Sequence, residues 1–150
     1  MKSKLAWAAA GQRVHVVVLD PGEEAFAVLT RFAADCGLTG ASIVALGAFE
    51  RAVVGWFDLR TRGYRPTRVD EQCEALSLLG DIAAGDDGKP SVHLHAVLGL
   101  ADGTTRGGHF LEGIVQPTLE VTITETPAHL RRIGRPELGI ALIDLDAGQR

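Results

Sequence analysis

Three histidines have a spacing that could bring their imidazole rings together. His93 and His95 are separated by one residue, and His109 follows later in the chain. A β-strand sends alternate side chains to the same face, so a strand over residues 91–98 places His93 and His95 side by side. Neutral imidazole is the commonest metal ligand, and three such ligands leave one position of a tetrahedral zinc site open. The spacing therefore predicts a site for zinc or another divalent transition metal.

The turn that follows this strand decides whether the third ring joins the other two. A two-residue turn would pair His109 with Ala96, whose side chain points to the opposite face. A three-residue turn at 101–103, with Gly103 in the left-handed conformation, places His109 directly opposite His95. We predict the three-residue turn. The alternative is a polar pocket in which the histidines only form hydrogen bonds.

One amphipathic helix is the clearest element outside this region. Residues 20–23 supply an N-cap carboxylate, a proline for the first helical position and a glutamate two residues further on. Apolar residues then recur at intervals of three and four up to Cys36, and Gly37 supplies a stop signal. These features predict a helix over about residues 22–36.

The remainder of the chain consists of short apolar runs that are separated by glycines and are typical of strands. The predicted strands are 13–19, 41–48, 51–58, 72–83, 91–99, 106–115, 118–125 and 138–145. Most connections are too short for crossover helices, so neighbouring strands should be antiparallel. The predicted fold class is α+β, with a mostly antiparallel, barrel-like or strongly bent sheet and one helix packed on it. We expect irregular stretches at 58–71 and 84–90.

Length and composition favour a single globular domain over residues 1–150, with a flexible segment at 1–10. The net charge of −4 argues against a surface that is basic throughout, so any contact with nucleic acid must be local. The longest uncharged stretch, residues 36–49, is shorter than the roughly 20 residues of a membrane-spanning helix. We therefore expect no membrane contact and a cytoplasmic location, with Cys36 and Cys73 as free thiols.

Residues 58–70 carry four arginines around Tyr64. They are Arg60, Arg62, Arg65 and Arg68. An arginine fork binds two phosphate oxygens at once, and a tyrosine face can stack on a base, so this segment is a candidate contact for nucleic acid or another anion. The alternative is a charged loop that is simply solvated.

Longer segments resemble a known family. The most distinctive are Gly88-Lys-Pro-Ser-Val-His-Leu-His-Ala-Val-Leu-Gly99 and Gly107-Gly-His-Phe-Leu-Glu-Gly-Ile-Val115, and others lie at 20–24, 31–38, 41–48 and 74–80. In these segments the chain resembles the PPC domain, the plants-and-prokaryotes-conserved domain. The resemblance implies a compact α+β domain that assembles as a homotrimer and is often associated with DNA.

In plant members of the PPC family, DNA contact is made largely by a separate AT-hook built on Arg-Gly-Arg-Pro. This chain has Ile133-Gly-Arg-Pro136, which lacks the first arginine and which we interpret as a turn. The resemblance therefore implies a DNA-associated protein or a regulatory protein-interaction module that acts as a trimer.

The PPC fold is also similar to that of acetolactate decarboxylase, whose zinc is held by a His-x-His pair and a third histidine. His93, His95 and His109 match that arrangement. The similarity implies an alternative function, a zinc-dependent enzyme that acts on a small oxoacid or ester in the manner of a decarboxylase or hydrolase. Glu120 is then the candidate catalytic carboxylate, although a solvated strand residue would give the same pattern. The sequence leaves open whether the protein is an enzyme.

Overall fold

The computed structural model describes residues 1–146, which form one bent β-sheet and one helix. The elements are β1 (Lys2–Ala9), β2 (Gln12–Leu19), α1 (Ala25–Asp35), β3 (Gly40–Asp58), β4 (Gly63–Val69), β5 (Cys73–Ala84), β6 (Pro90–Gly99), β7 (Thr105–Glu125), β8 (Arg131–Arg135) and β9 (Ile140–Asp144). The chain is thus mostly strand, and the predicted α+β class holds in this broad sense.

The sheet bends strongly because β6 pairs on one side with β5 and on the other with the beginning of β7. β3 pairs with β4, β5 and β7, and β1 follows β2 at one edge. These pairs are antiparallel, whereas β8 joins β5 through a single parallel pair between Ala84 and Arg131. The long strands β3 and β7 each cover two of the predicted strands. The mostly antiparallel, strongly bent sheet is confirmed.

The core lies between the inner face of the sheet and α1. Alternate residues of β6 point into this core: Leu94 and Leu98 are fully buried, and Ala96 is nearly so. Leu29 and Phe32 of α1 cover the same core. Burial of this face leaves the odd-numbered residues of β6 on the outer face, as the alternation of a strand requires.

The helix begins later than predicted. Its N-cap is Glu24, whose carboxylate accepts hydrogen bonds from the backbone N–H groups of Phe26 and Ala27. Gly22 adopts a left-handed conformation with φ of 84°, which is incompatible with a helix. Residues 20–23 therefore form a turn before the helix, and the helix itself ends at Asp35.

Three segments that were expected to be irregular or flexible form strands. Residues 2–9 pair with β2 as β1, residues 63–69 form β4, and the predicted turn at 133–136 lies largely within β8. The actual turn follows β8, where the N–H groups of Leu138 and Gly139 donate to the carbonyl of Arg135. Each segment forms a strand because it pairs with a neighbouring strand, and its own sequence pattern does not indicate that pairing.

Two simpler expectations hold. Both cysteines are free thiols. Among residues 1–146 there is no helix with the length and apolar character needed to cross a membrane.

Candidate metal centre

The turn between β6 and β7 has the predicted length. The N–H of Leu100 donates to the carbonyl of Thr104 at 2.9 Å, which leaves a three-residue turn closed by Gly103 with φ of 79°. The resulting register places His95 directly opposite His109. The geometric prediction on which the histidine cluster depended is confirmed.

The three imidazoles converge on the outer face of β6 and β7. Ring centroids are 5.1 Å apart for His93 and His95, 5.0 Å for His93 and His109, and 5.3 Å for His95 and His109. One nitrogen from each ring lies within 4.8 Å of the other two. Zinc ligands at about 2.0–2.1 Å from the ion would be about 3.4 Å apart, so small side-chain rotations suffice to close a site.

The donor set suits a divalent transition metal. Nδ1 of His109 is buried and has no hydrogen-bond partner among the described residues. Burial, together with the neighbouring His93, His95 and Arg132, lowers the pKa of His109 to about 4. The ring is therefore neutral at pH 7, the form that offers a lone pair. An unpaired buried polar atom costs about 1–3 kcal/mol, and a ligand bound at this ring would relieve part of that cost.

The carboxylate of Asp81 and the guanidinium of Arg132 lie next to the histidine cluster. Oδ2 of Asp81 lies 3.6 Å from Nδ1 of His93, and Nη2 of Arg132 donates to Oδ1 of Asp81 at 2.5 Å. Burial tends to raise the pKa of Asp81, but His93 and Arg132 offset this and hold the pKa below its usual value. Asp81 is thus an anion that can fix the tautomer and orientation of His93.

The backbone brings Asp81 close to the histidines because β5 and β6 approach each other closely beside it. A Cβ atom on Gly80 would lie 1.9 Å from the carbonyl oxygen of His93. Only glycine fits at this position without moving one of the strands.

The histidines line a cavity of about 700 Å³. Trp56, Phe57 and Tyr64 contribute aromatic surface to its lining, and residues 139–142 of the β8–β9 hairpin also line it. The ring of Tyr64 stacks on His109 with centroids 4.5 Å apart and planes at 26°. Burial raises the pKa of the Tyr64 hydroxyl. The cavity lining therefore combines the polar histidines with apolar surface, as small-molecule sites commonly do.

Glu120 is not part of this cavity. It is exposed on the later part of β7, opposite Val18 of β2 and Leu46 of β3. His109 lies near the beginning of the same long strand and is paired with Gly55 of β3. The structure does not bring Glu120 to the histidines, so we assign it no role there.

The four arginines of the predicted anion contact are exposed on or beside the β3–β4 hairpin, and three of them have partners within the chain. Arg65 pairs with Asp58 and lies over the ring of Trp56 at 5.5 Å, Arg68 pairs with Asp70 at 3.1 Å, and Arg62 donates to the carbonyl of Pro136 at 3.3 Å. The fourth, Arg60, donates its backbone N–H to Asp58. Tyr64 packs on His109 rather than standing free among these arginines.

Sequence reasoning missed Asp81, Arg132 and the position of Tyr64 in this site. Asp81 could have been suspected, because it is a charged residue within the apolar second half of β5, residues 78–84. Arg132 gave no comparable signal, since its strand is short and rich in charge.

Comparison with solved structures shows the same architecture in other organisms. A plant- and prokaryote-conserved (PPC) protein from Pyrococcus horikoshii is 26% identical, with 95% of this chain and 94% of that chain covered and a TM-score of 0.81. A metal-containing protein from Archaeoglobus fulgidus is 28% identical, with 96% and 99% covered and a TM-score of 0.79. A "Putative DNA-binding protein" from Ralstonia eutropha JMP134 is 29% identical, with 87% and 90% covered and a TM-score of 0.80.

A more distant likeness concerns the fold alone. A Staphylococcus aureus protein similar to alpha-acetolactate decarboxylase is 12% identical and has a TM-score of 0.56, with 87% of this chain and 56% of that chain covered. A search of curated proteins gave no match. The family profile described as Plants and Prokaryotes Conserved (PCC) domain matches residues 8–127. The chain belongs to this family, whose domain is also written PPC.

Proposed function

We propose that this PPC protein binds one divalent transition metal ion, with zinc as the first candidate, through His93, His95 and His109. The observation that carries the proposal is the convergence of three imidazole nitrogens within 4.8 Å at the wall of a cavity. The metal-containing relative from Archaeoglobus fulgidus supports it. A bound ion of this kind would polarise a carbonyl group or lower the pKa of water in the cavity.

The chain's own residues hold the ligands in place. Oδ2 of Asp81 lies 3.6 Å from Nδ1 of His93, so a small rotation would let it accept a hydrogen bond from that nitrogen and leave Nε2 for the metal. Tyr64 stacks on His109 and limits its rotation. Such supporting contacts reduce the loss of side-chain entropy that accompanies ligand binding.

The experiment is a metal titration with a matched histidine control. Protein freed of metal should bind about one equivalent of zinc per chain by calorimetry, and His95→Ala should lose most of this binding. His129→Ala is the control, because His129 is an exposed residue that contacts Thr39 away from the cluster. Less than about a tenth of an equivalent in the wild-type protein, or equal binding by all three proteins, would contradict the proposal.

We also propose that the protein acts as a homotrimer that presents an interaction surface. A cross-strand row of apolar side chains on the outer face leads to the metal site: Val44 lies opposite Leu79, and Leu79 lies opposite His95. Val44 is 52% exposed and Leu79 51%. Large apolar side chains that adjoin on an exposed face are the kind of surface that a partner covers. The oligomeric state implied by the family resemblance gives that partner, a second copy of the chain.

Light scattering coupled to size exclusion tests the trimer. The wild-type mass should be three times that of the chain, and Leu79→Glu should reduce it, because a carboxylate in an apolar interface is desolvated. Leu59→Glu is the control, since Leu59 is exposed beyond the end of β3 and outside this row. A wild-type monomer at micromolar concentration would contradict the trimer.

DNA binding is a second candidate function, favoured by the Ralstonia relative and by the exposed arginines of the β3–β4 hairpin. The ion pairs of Arg65 and Arg68 within the chain oppose it, because those charges are already compensated. Measurement of the affinity for DNA as a function of salt concentration tests this candidate function. Phosphate contacts require log affinity to fall steeply with log salt, at about 0.9 per phosphate neutralised. Absence of a protein–DNA complex at low salt would contradict DNA binding.

The cavity itself favours the alternative of a zinc-dependent enzyme that acts on a small oxoacid or ester. Its volume of about 700 Å³ lies within the range of small-molecule sites. Turnover in the zinc-loaded protein that disappears in His95→Ala would establish this alternative, whereas ligand binding without turnover would favour the interaction module. A cytoplasmic location remains a prediction under either function.

A further inference from the structure

Arg132 is a buried cation inside the histidine cavity. Its side chain is only 8% exposed, yet the residue is part of the cavity lining. It comes from β8, and the hairpin of β8 and β9 lies beyond residues 8–127, the part that matches the family profile. The hairpin therefore contributes to the cavity from outside the region that defines the family.

The charges in the cavity favour an anion. Arg132 and Asp81 compensate each other, and an imidazole that ligates a metal ion is neutral, so the three ligands add no charge. A bound divalent ion would then leave a net charge of about +2 in a partly enclosed space, where electrostatic interactions are stronger than in bulk water. Nη2 of Arg132 is engaged by Asp81, and a guanidinium has five N–H donors in all. A planar carboxylate matches the geometry of such a donor group.

The walls favour a ligand with an apolar body. Trp56 and Phe57 of β3 and Ile140, Ala141 and Leu142 of β9 line the cavity. Trp56 is 63% exposed and Leu142 is 41% exposed, so apolar surface from both strands is accessible to a ligand in the cavity. Removal of such surface from water favours binding, so an apolar body would contribute a large part of the affinity.

We propose that the cavity binds a small carboxylate with an aromatic or aliphatic body, that Arg132 anchors the carboxylate, and that the β8–β9 hairpin supplies one wall of the specificity pocket. This inference rests on the proposed metal site, because the ion provides the excess positive charge.

The test uses cobalt-loaded protein and three probes: 3-phenylpropionate, its uncharged amide and acetate. Calorimetry should give an affinity for 3-phenylpropionate at least about tenfold above that for the amide, because the amide lacks the charge, and above that for acetate, which lacks the apolar body. Arg132→Gln should weaken 3-phenylpropionate binding about tenfold or more and weaken amide binding clearly less, because the amide carries no charge to be compensated. Arg131→Gln is the matched control, since Arg131 is an exposed neighbour on the same strand.

A variant of the hairpin wall tests the second half of the inference. Leu142→Ala should weaken 3-phenylpropionate binding several-fold and leave acetate binding unchanged, because only the former contacts the wall. If Arg132→Gln does not fold, the comparison of acid and amide in the wild-type protein and the Leu142→Ala variant still decide the inference.

The outcomes separate the two proposals. Cobalt binding is recorded on its own by the visible absorption of the ion, so absence of its bands contradicts the metal site. Normal cobalt bands with equal affinity for the acid and the amide contradict the carboxylate proposal. Equal losses in Arg132→Gln and Arg131→Gln contradict the role of Arg132.

Discussion

Two histidines of this protein have a buried ring nitrogen with no hydrogen-bond partner in the described chain, but their surroundings differ. Nε2 of His15 lies on β2 under the helix, where the ring meets Phe32 edge-on at 5.4 Å. Nδ1 of His109 lies beside two further imidazoles, with ring centroids no more than 5.3 Å away. Burial lowers the pKa of both rings.

The difference shows that burial and an unpaired nitrogen do not by themselves make a site. Around His15 the packing is hydrophobic, so the unpaired atom is a local cost of the core. Around His109 the strand register supplies two more ligands, Asp81 supplies support, and a cavity supplies access. Within residues 1–146, this is the group of three or more metal-ligand side chains that converge closely enough to hold an ion.

The largest expected effect separates these two histidines directly. At a zinc concentration about 100-fold above its Kd, the wild-type protein should gain about 2.7 kcal/mol in free energy of unfolding. His109→Ala should bind zinc at least about 100-fold more weakly, because loss of a metal ligand exceeds the 10–100-fold effect of a supporting partner. Its gain should then be about 0.4 kcal/mol or less.

Urea unfolding with zinc and with a chelator measures this effect. His15→Leu is the control and should keep the full gain, because within residues 1–146 His15 belongs to no group of three converging ligand side chains. An equal loss in both variants would show that the two histidines differ less than their surroundings indicate.

A smaller effect on zinc affinity is expected from Asp81, which lies beside His93. Asp81→Asn should lower zinc affinity about 10–100-fold, because the amide holds the orientation of His93 less well than the carboxylate. Asp70→Asn, which changes an exposed carboxylate paired with Arg68, should leave the affinity unchanged. Competition with a chromophoric chelator gives both values. Unchanged affinity in Asp81→Asn would mean that the cluster binds metal without help from β5.

The smallest effect is a pH dependence of stability that belongs to His15. Burial and Arg13 lower the pKa of His15, while Glu125 opposes this shift. As the pH falls below about 6.5, the unfolded chain takes up a proton at this position that the folded chain resists, so the free energy of unfolding decreases. His15→Leu lacks this contribution and should lose less stability between about pH 7 and pH 5.

Urea unfolding of metal-free protein at these two pH values checks the sign. A variant that loses as much stability as the wild-type protein would show that His15 does not resist protonation in the fold.

The histidine cluster could be predicted because its geometry is local. Strand alternation fixes His93 and His95, and one short turn with a left-handed Gly103 fixes His109. The start of the helix was harder, because residues 20–23 carry the usual signals but Gly22 turns them into a separate turn before Glu24. Local patterns identify an element more reliably than its first residue.

The supporting residues could not be predicted, because their contacts depend on long-range pairing. Asp81 and Arg132 are 51 positions apart in the sequence, and they meet only because β8 joins β5 at Ala84 and Arg131. The sequence of β8, which is short and rich in arginine, does not indicate that Arg132 pairs with Asp81. Glu120 shows the opposite error. Its position in a strand soon after His109 suggested that it would lie near the histidines, but both residues belong to the long strand β7, which keeps them apart.

X-ray absorption at the zinc edge of the zinc-loaded protein tests the central claim most directly. The proposed site predicts about three imidazole nitrogens at about 2.0–2.1 Å from the zinc ion and one further light ligand, with one imidazole fewer in His109→Ala. A spectrum with sulfur at about 2.3 Å, or with oxygen ligands and no imidazole scattering, would show that the ion is not held by His93, His95 and His109.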